Sequence, residues 1–215
     1  MALHVGTPLG SVPPQRSQPP TSYDLGEHEM LAKQFHEVRF LGAGPDGTAL
    51  AAARRDGGAE VELRFVQEHA QTDELLERWS RYQLLDHPHV ISLQQVEYAN
   101  GEWCAVLDSA QLGTLEQALA QLWTPEASLR LLEQLASALA AAHDIGLWHG
   151  NLSPGSVRLD PRRGARLEFS GVSVWSEGSA AQRWQERDAS DDVQQLAELA
   201  ERLLGGPETA RKRLP

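Results

Sequence analysis

Near residue 110 the hydrophobic period of this 215-residue chain changes from about two to about 3.6, and no single-layer or all-β plan accommodates that change. Before it, apolar residues alternate. Phe35 to Leu41 reads as a strand, Gly42-Ala43-Gly44-Pro45-Asp46-Gly47 as a tight loop and Thr48 to Arg54 as the returning strand. After the turn Asp56-Gly57-Gly58 comes Val61 to Val66, with Val61, Leu63 and Phe65 on one face. Thr72 is placed to cap a helix through Leu75, Leu76, Trp79, Tyr82 and Leu85. Val90 to Tyr98 and Trp103 to Asp108 complete five strands around Asn100-Gly101.

Beyond the change the signals are helical. Thr114-Leu115-Glu116-Gln117 is a capping box, and Thr124-Pro125-Glu126 supplies a cap and a proline at the first helical position. Leu129, Leu132, Leu135, Leu139 and Ala142 form the expected buried stripe of that helix. A short strand pair, Val157 to Leu159 and Arg166 to Phe169, surrounds the turn Asp160 to Gly164. A last helix carries Val193, Leu196, Leu199, Ala200 and Leu203 and ends at Gly205-Gly206-Pro207. Strands first and helices afterwards is an α+β plan with two lobes. The division expected is a Pro/Gly/Ser-rich flexible arm over 1–30, a strand-rich lobe over 31–109, a helical lobe over 110–206 and a tail over 207–215.

Composition narrows the function classes. Nineteen Lys and Arg against 30 Asp and Glu give a net charge of −11, which opposes a grip on nucleic-acid phosphates or anionic lipid, and Arg211-Lys212-Arg213 is too short to reverse it. The single cysteine, Cys104, excludes an internal disulfide and sits in a predicted strand as a core residue. No run of about 18 apolar residues and no basic, apolar leader is seen, so a cytoplasmic location is expected.

Gly42-x-Gly44-x-x-Gly47 is followed by a strand, which excludes the dinucleotide-fold use of the pattern. A phosphate-cradling hairpin loop and an ordinary Gly/Pro/Asp turn both remain. The order of segments from Phe35 to about Gly206 resembles the protein kinase family, bacterial Ser/Thr kinases in particular. Leu41 to Gly47 resembles the glycine-rich loop, and Val61-Glu62-Leu63-Arg64 the V-A-I-K strand. His87-Pro88-His89-Val90-Ile91 is similar to the turn before the fourth strand, and Leu107-Asp108-Ser109 to the hinge. Leu147 to Val157 is similar to the catalytic loop, and Asp192 to Gly206 to the central helix of the large lobe. The resemblance implies a two-lobed kinase-like fold, with a five-stranded antiparallel first lobe bearing one helix and a shortened, mainly helical second lobe.

The same resemblance implies that the chemistry is lost. The catalytic aspartate falls on Asn151, an amide without useful basicity, and the following lysine on Ser153. The magnesium-holding asparagine falls on Ser156, and D-F-G on Phe169-Ser170-Gly171, which removes the metal carboxylate. Arg64 stands for the strand lysine, and Arg78 for its glutamate partner on the helix, which sets like charges together unless Glu77 or Glu74 compensates. His149 is expected to brace the loop as a buried, hydrogen-bonded histidine.

Between Gly171 and Asp192 stand 20 residues, the A-P-E motif is absent, and nine residues follow Gly206, so a degenerate, C-terminally truncated pseudokinase is expected. It would act by binding a protein partner, a true kinase or another regulator, with no metal. The runner-up is a weak Ser/Thr kinase, and a third reading is a nucleotide sensor. ATP without magnesium stays open as a ligand, held by Gly42, Gly44, Gly47, Arg64, Leu107 and Ser109. Trp79, Trp103, Trp123 and Trp148 are expected to pack, and Trp175 and Trp184 to mark a contact surface.

Overall fold

The computed structural model describes residues 29–43, 49–67, 72–99, 101–108, 113–119, 123–170 and 188–205. Gly44, Gly47, Ser109, Trp175, Trp184, the proline-rich arm up to residue 28 and the basic tail lie outside the described residues. The first element was not anticipated: helix α1 (Glu29–Gln34) begins inside the segment read as arm and buries Leu31.

Strands β1 (Phe35–Ala43), β2 (Ala49–Arg55), β3 (Glu60–Gln67), β4 (Leu93–Ala99) and β5 (Glu102–Asp108) form an antiparallel sheet in the order β1-β2-β3-β5-β4. Strand β3 is central, and its period-two pattern sorts its side chains between two cores. Val61, Leu63 and Phe65 join Leu31, Phe35, Ala51, Cys104 and Val106 on one face. Glu62, Arg64 and Val66 therefore point to the other face. Two boundaries moved. Val90 makes a lone parallel bridge to Leu167 rather than starting β4, and α2 (Thr72–Tyr82) has Thr72 as its first residue rather than its cap.

The second lobe begins with β6 (Gly113–Thr114) and α3 (Leu115–Ala118), whose capping box forms as expected between Thr114 and Gln117. Helix α4 (Pro125–His143) is capped by the Thr124 hydroxyl, which accepts from the Ala127 N–H. Its buried stripe is Ser128, Leu131, Leu135, Ala138, Leu139 and Ala142, whereas Leu129 is 56% exposed. The expected stripe was rotated at its N-terminal end because leucines occupy both faces there; strand β7 (Val157–Asp160) pairs with β8 (Gly164–Leu167), and packing of α4 on β8 and on α5 (Ala189–Leu204) chooses between them. Val193 of α5 is likewise exposed, while Leu199 is buried and Leu196 and Leu203 are half-buried.

The lobes share one apolar core. Leu75, Trp79, Tyr82, Ile91 and Leu107 on the sheet side meet Leu131, Leu135, Leu139, Leu147, Leu167, Phe169 and Leu199. Backbone bonds from Ile91 N–H to Leu167 O (2.8 Å) and from Leu167 N–H to His89 O (2.9 Å) stitch them together. Buried Arg166 donates to Val90 O and to Asp108, so the end of β5 is tied to β8. Among the described residues no helix is long and apolar enough to cross a membrane.

Candidate functional site

The face of β3 that carries Glu62 and Arg64 looks across to the segment following β8, and the two meet in a buried ion cluster. The Arg64 guanidinium donates to Glu62 (2.7 Å), to Glu168 and to the Ser170 hydroxyl (3.4 Å), while Ser170 donates to Glu168. Side-chain exposure is 11% for Arg64, 6% for Glu62 and 11% for Glu168, so each charge is mostly out of water and needs the others. Burial raises the pKa of Glu62, with Arg64 opposing it. Burial would depress Arg64, but the carboxylates of Glu168 and Glu62 outweigh it and raise its pKa.

This geometry departs from the expectation in two ways. Phe169, on which the metal carboxylate was expected to fall, is fully buried, and the acidic group facing Arg64 is Glu168, one residue earlier. And Arg78 does not confront Arg64. It is turned to the loop before β7 and to the segment after β8: its guanidinium donates to Trp148 O (2.8 Å) in the former and to Phe169 O (2.7 Å) in the latter, with a longer contact to His149 O (3.5 Å). Burial draws the Arg78 pKa down to about 10, which still leaves it charged at neutral pH. Neither Glu77 nor Glu74 reaches Arg64 as a compensating partner: Glu77 pairs with Arg81 at the surface, and Glu74 lines the groove between α2 and the Gly146–Trp148 turn. Sequence reasoning missed Glu62 and Glu168 as partners. The signal for Glu62 was available, since a carboxylate two residues from an arginine shares its face in a strand buried on both sides.

The loop from Leu147 to Ser156 is held by the start of α5. Fully buried Asp192 accepts from the backbone N–H groups of His149 and Gly150 (2.7 Å each) and from His143 Nε2 (2.8 Å). Gly150 presents its N–H there with φ of 77°, a conformation that a side chain would strain. The Gln195 amide oxygen accepts from Leu152 N–H (2.6 Å). Asn151 is exposed. The Ser156 hydroxyl accepts from Ser153 N–H (2.9 Å) and donates to Ser153 O (2.8 Å), so it closes a turn.

His149 braces the loop as expected. Its Nδ1 accepts from Asn151 N–H (3.3 Å), and its ring lies edge-on to Phe169 at 5.3 Å. Phe169, fully buried, also packs on Tyr82 at 6.0 Å. Burial lowers the His149 pKa to about 4, with Asp192 opposing and Arg78 assisting. In the unfolded chain the group titrates near 6.5, so the folded state binds fewer protons between pH 6.5 and 4. Acidification through that window will therefore remove about 3 kcal/mol of stability through this residue alone. Urea unfolding at stepped pH checks this: His149→Phe should flatten the stability slope there by close to one proton, and an unchanged slope would refute it.

Of the other positions expected to hold a nucleotide, Leu107 is buried in the shared core and pairs in register with Glu62, and Gly42 lies in β1. Cys104 is buried, and burial pushes its thiol well above the ordinary range, which agrees with a core role. Trp79 packs in the core and donates from Nε1 to Ser170 O (2.9 Å). No cluster of three metal-ligating side chains occurs among the described residues.

No family model matches the chain. It is 33% identical over 138 residues to the serine/threonine-protein kinase PkaB of Streptomyces coelicolor, covering 62% of this chain and 31% of that one. It is 30% identical over 189 residues to the serine/threonine-protein kinase pkn2 of Myxococcus xanthus, covering 83% of this chain and 21% of that one. The chain thus spans a third or less of these two relatives. Among solved structures, the PknI kinase domain of Mycobacterium tuberculosis superposes with a TM-score of 0.62 at 20% identity, over 79% of this chain and 73% of that one. Rad53 in complex with AMP-PNP superposes with a TM-score of 0.64 at 14% identity, over 80% and 48%. The two-lobed architecture, the order of its elements and these relatives agree: the chain belongs to the protein kinase superfamily.

Proposed function

We propose that this kinase-like domain is a pseudokinase, one that works in signalling by binding a protein partner rather than by phosphoryl transfer. The observation that carries the reading is the Glu62–Arg64–Glu168 cluster. A nucleotide phosphate seeking Arg64 has to displace a carboxylate that is itself buried. Leaving such a group unpaired costs about 3–5 kcal/mol, or more than two orders of magnitude in affinity. The three charges also sum to −1 and repel a polyanion. Exposed Asn151 offers no base for a substrate hydroxyl, and the Ser156 hydroxyl is committed to its own turn.

One observation favours the second reading, a nucleotide sensor or weak kinase: Glu168 supplies a carboxylate next to the position where a metal ligand was expected. Thermal unfolding with ATP, with and without magnesium, separates the two. Ligand at a hundred times its dissociation constant would add about 2.7 kcal/mol, a rise of about 5–10 °C for a chain of this size. The pseudokinase reading in its nucleotide-free form expects no resolvable rise and no phosphate incorporation into generic acceptors. A magnesium-dependent rise together with phosphate incorporation would sink it.

A further inference from the structure

Between α2 and β4 the chain turns through Asp86-His87-Pro88-His89-Val90, and this turn is bonded to the second lobe by backbone and side chain alike. Leu167 N–H donates to His89 O (2.9 Å) and Arg166 to Val90 O (2.8 Å). The His89 ring reaches Ala165 O through Nδ1 (3.1 Å), and the His87 ring reaches the Ser137 hydroxyl on α4 through Nε2 (3.0 Å). Two titratable rings thus stand where the lobes join, and their hydrogen bonds fix the tautomers differently.

A carbonyl oxygen can only accept, so His89 carries its proton on Nδ1. A second proton would go to Nε2 and break none of these bonds. His87 is the opposite case. Its Nδ1 accepts from the His89 backbone N–H (3.2 Å), so the neutral ring carries its proton on Nε2 and donates it to Ser137. Protonation would put a second N–H on Nδ1, facing the N–H of His89, and two donors cannot share a bond. Only the neutral ring can hold that contact. The surroundings favour the neutral form: partial burial and the His89 ring, 5.6 Å away, lower the His87 pKa, and Asp86 opposes them. From α4 the group facing the ring is the uncharged Ser137 hydroxyl, and Arg166 of β8 is committed to Val90 O and Asp108. The bond at stake orients His89, whose carbonyl holds Leu167, the residue before Glu168 of the ion cluster.

We infer that His87 is a proton-sensitive latch between the lobes: neutral, it holds the turn against α4 and β8, and protonated, it releases the His89 N–H and loosens the grip on Leu167. Such a latch works whether or not the Arg64 face binds nucleotide, and the ATP measurement does not bear on it. The test uses the full 215-residue chain labelled with nitrogen-15. Long-range proton–nitrogen spectra of the imidazoles should show His87 as the Nε2–H tautomer at about pH 8 and give it a pKa below 6.5. Hydrogen exchange of the Leu167 amide, corrected for the intrinsic rate, should lose about threefold to tenfold in protection on acidification through that pKa. The sign follows from linkage, since a ring that gains its proton on opening makes opening easier as pH falls. His87→Asn isolates the cause, because its amide oxygen can accept the same N–H two residues on and does not titrate. The pH step should vanish in that variant, while His149, which titrates in both proteins, affects the two alike. An Nδ1–H tautomer, a pKa at or above 6.5, or a step of equal size in wild type and variant overturns the inference. Tautomer and pKa are read on the wild-type chain, so they decide the matter even if the variant fails to fold.

Discussion

Replacing Asp192 by alanine will cost the fold about 3–5 kcal/mol, a large part of what a single domain has. The carboxylate is fully buried and takes three donors, the N–H groups of His149 and Gly150 and the His143 ring. Alanine leaves the two backbone donors buried and unpaired, and each such loss costs about 1–3 kcal/mol. Asparagine is the sharper probe, because its single oxygen can serve one side while its amide N–H₂ faces a donor on the other. Denaturant midpoints of the three proteins should order as wild type, Asp192→Asn, Asp192→Ala. A change below about 0.5 kcal/mol in both variants would mean that the loop before β7 is held by something other than this side chain.

The second large effect concerns the ion cluster. Arg64→Met removes the cation from between two buried carboxylates and should destabilise the protein by about 3–5 kcal/mol at pH 7. Its pH dependence distinguishes this cause from lost packing. Glu62 already has a raised pKa through burial, and Arg64 is what opposes the rise, so the variant raises it further. A folded-state pKa above the unfolded value means that the folded state takes up protons as pH falls. The deficit should therefore shrink on acidification through the raised pKa toward the ordinary carboxylate value of 4.5. The neutral combination Glu62→Gln, Arg64→Met and Glu168→Gln should recover most of the loss at pH 7, because no buried charge is left alone. A deficit that is flat with pH, and not relieved by the neutral combination, would show that the methionine merely packs badly.

Much of the architecture was legible along the chain. The capping box at Thr114 and Gln117, the Thr124 cap with Pro125 behind it, the hairpin strands and the Asp160–Gly164 turn all formed where their residues indicated. These signals act within a few residues, so local sequence suffices to specify them. Helix faces were less legible. Leu129 and Val193 match a helical period as well as their buried neighbours do, and only the surface a helix packs against selects among leucines on adjacent stripes. The short helix α1 was missed because a single turn and a half with one buried leucine scarcely interrupts a polar segment.

The candidate site was legible in its parts and not in its wiring. Arg64, Arg78, His149, Asn151 and Phe169 were all picked out, and the sequence by itself determined that two lobes form. What only the tertiary structure decided is which charge meets which. Arg64 finds Glu168 across 104 residues of chain, and Arg78 finds Phe169 O across 91, so that two arginines expected to confront one another each acquire separate partners. The reason is physical. A buried charge is tolerated only where its partners converge, and convergence of β3, α2 and the segment after β8 is a property of how the lobes pack rather than of any one of them.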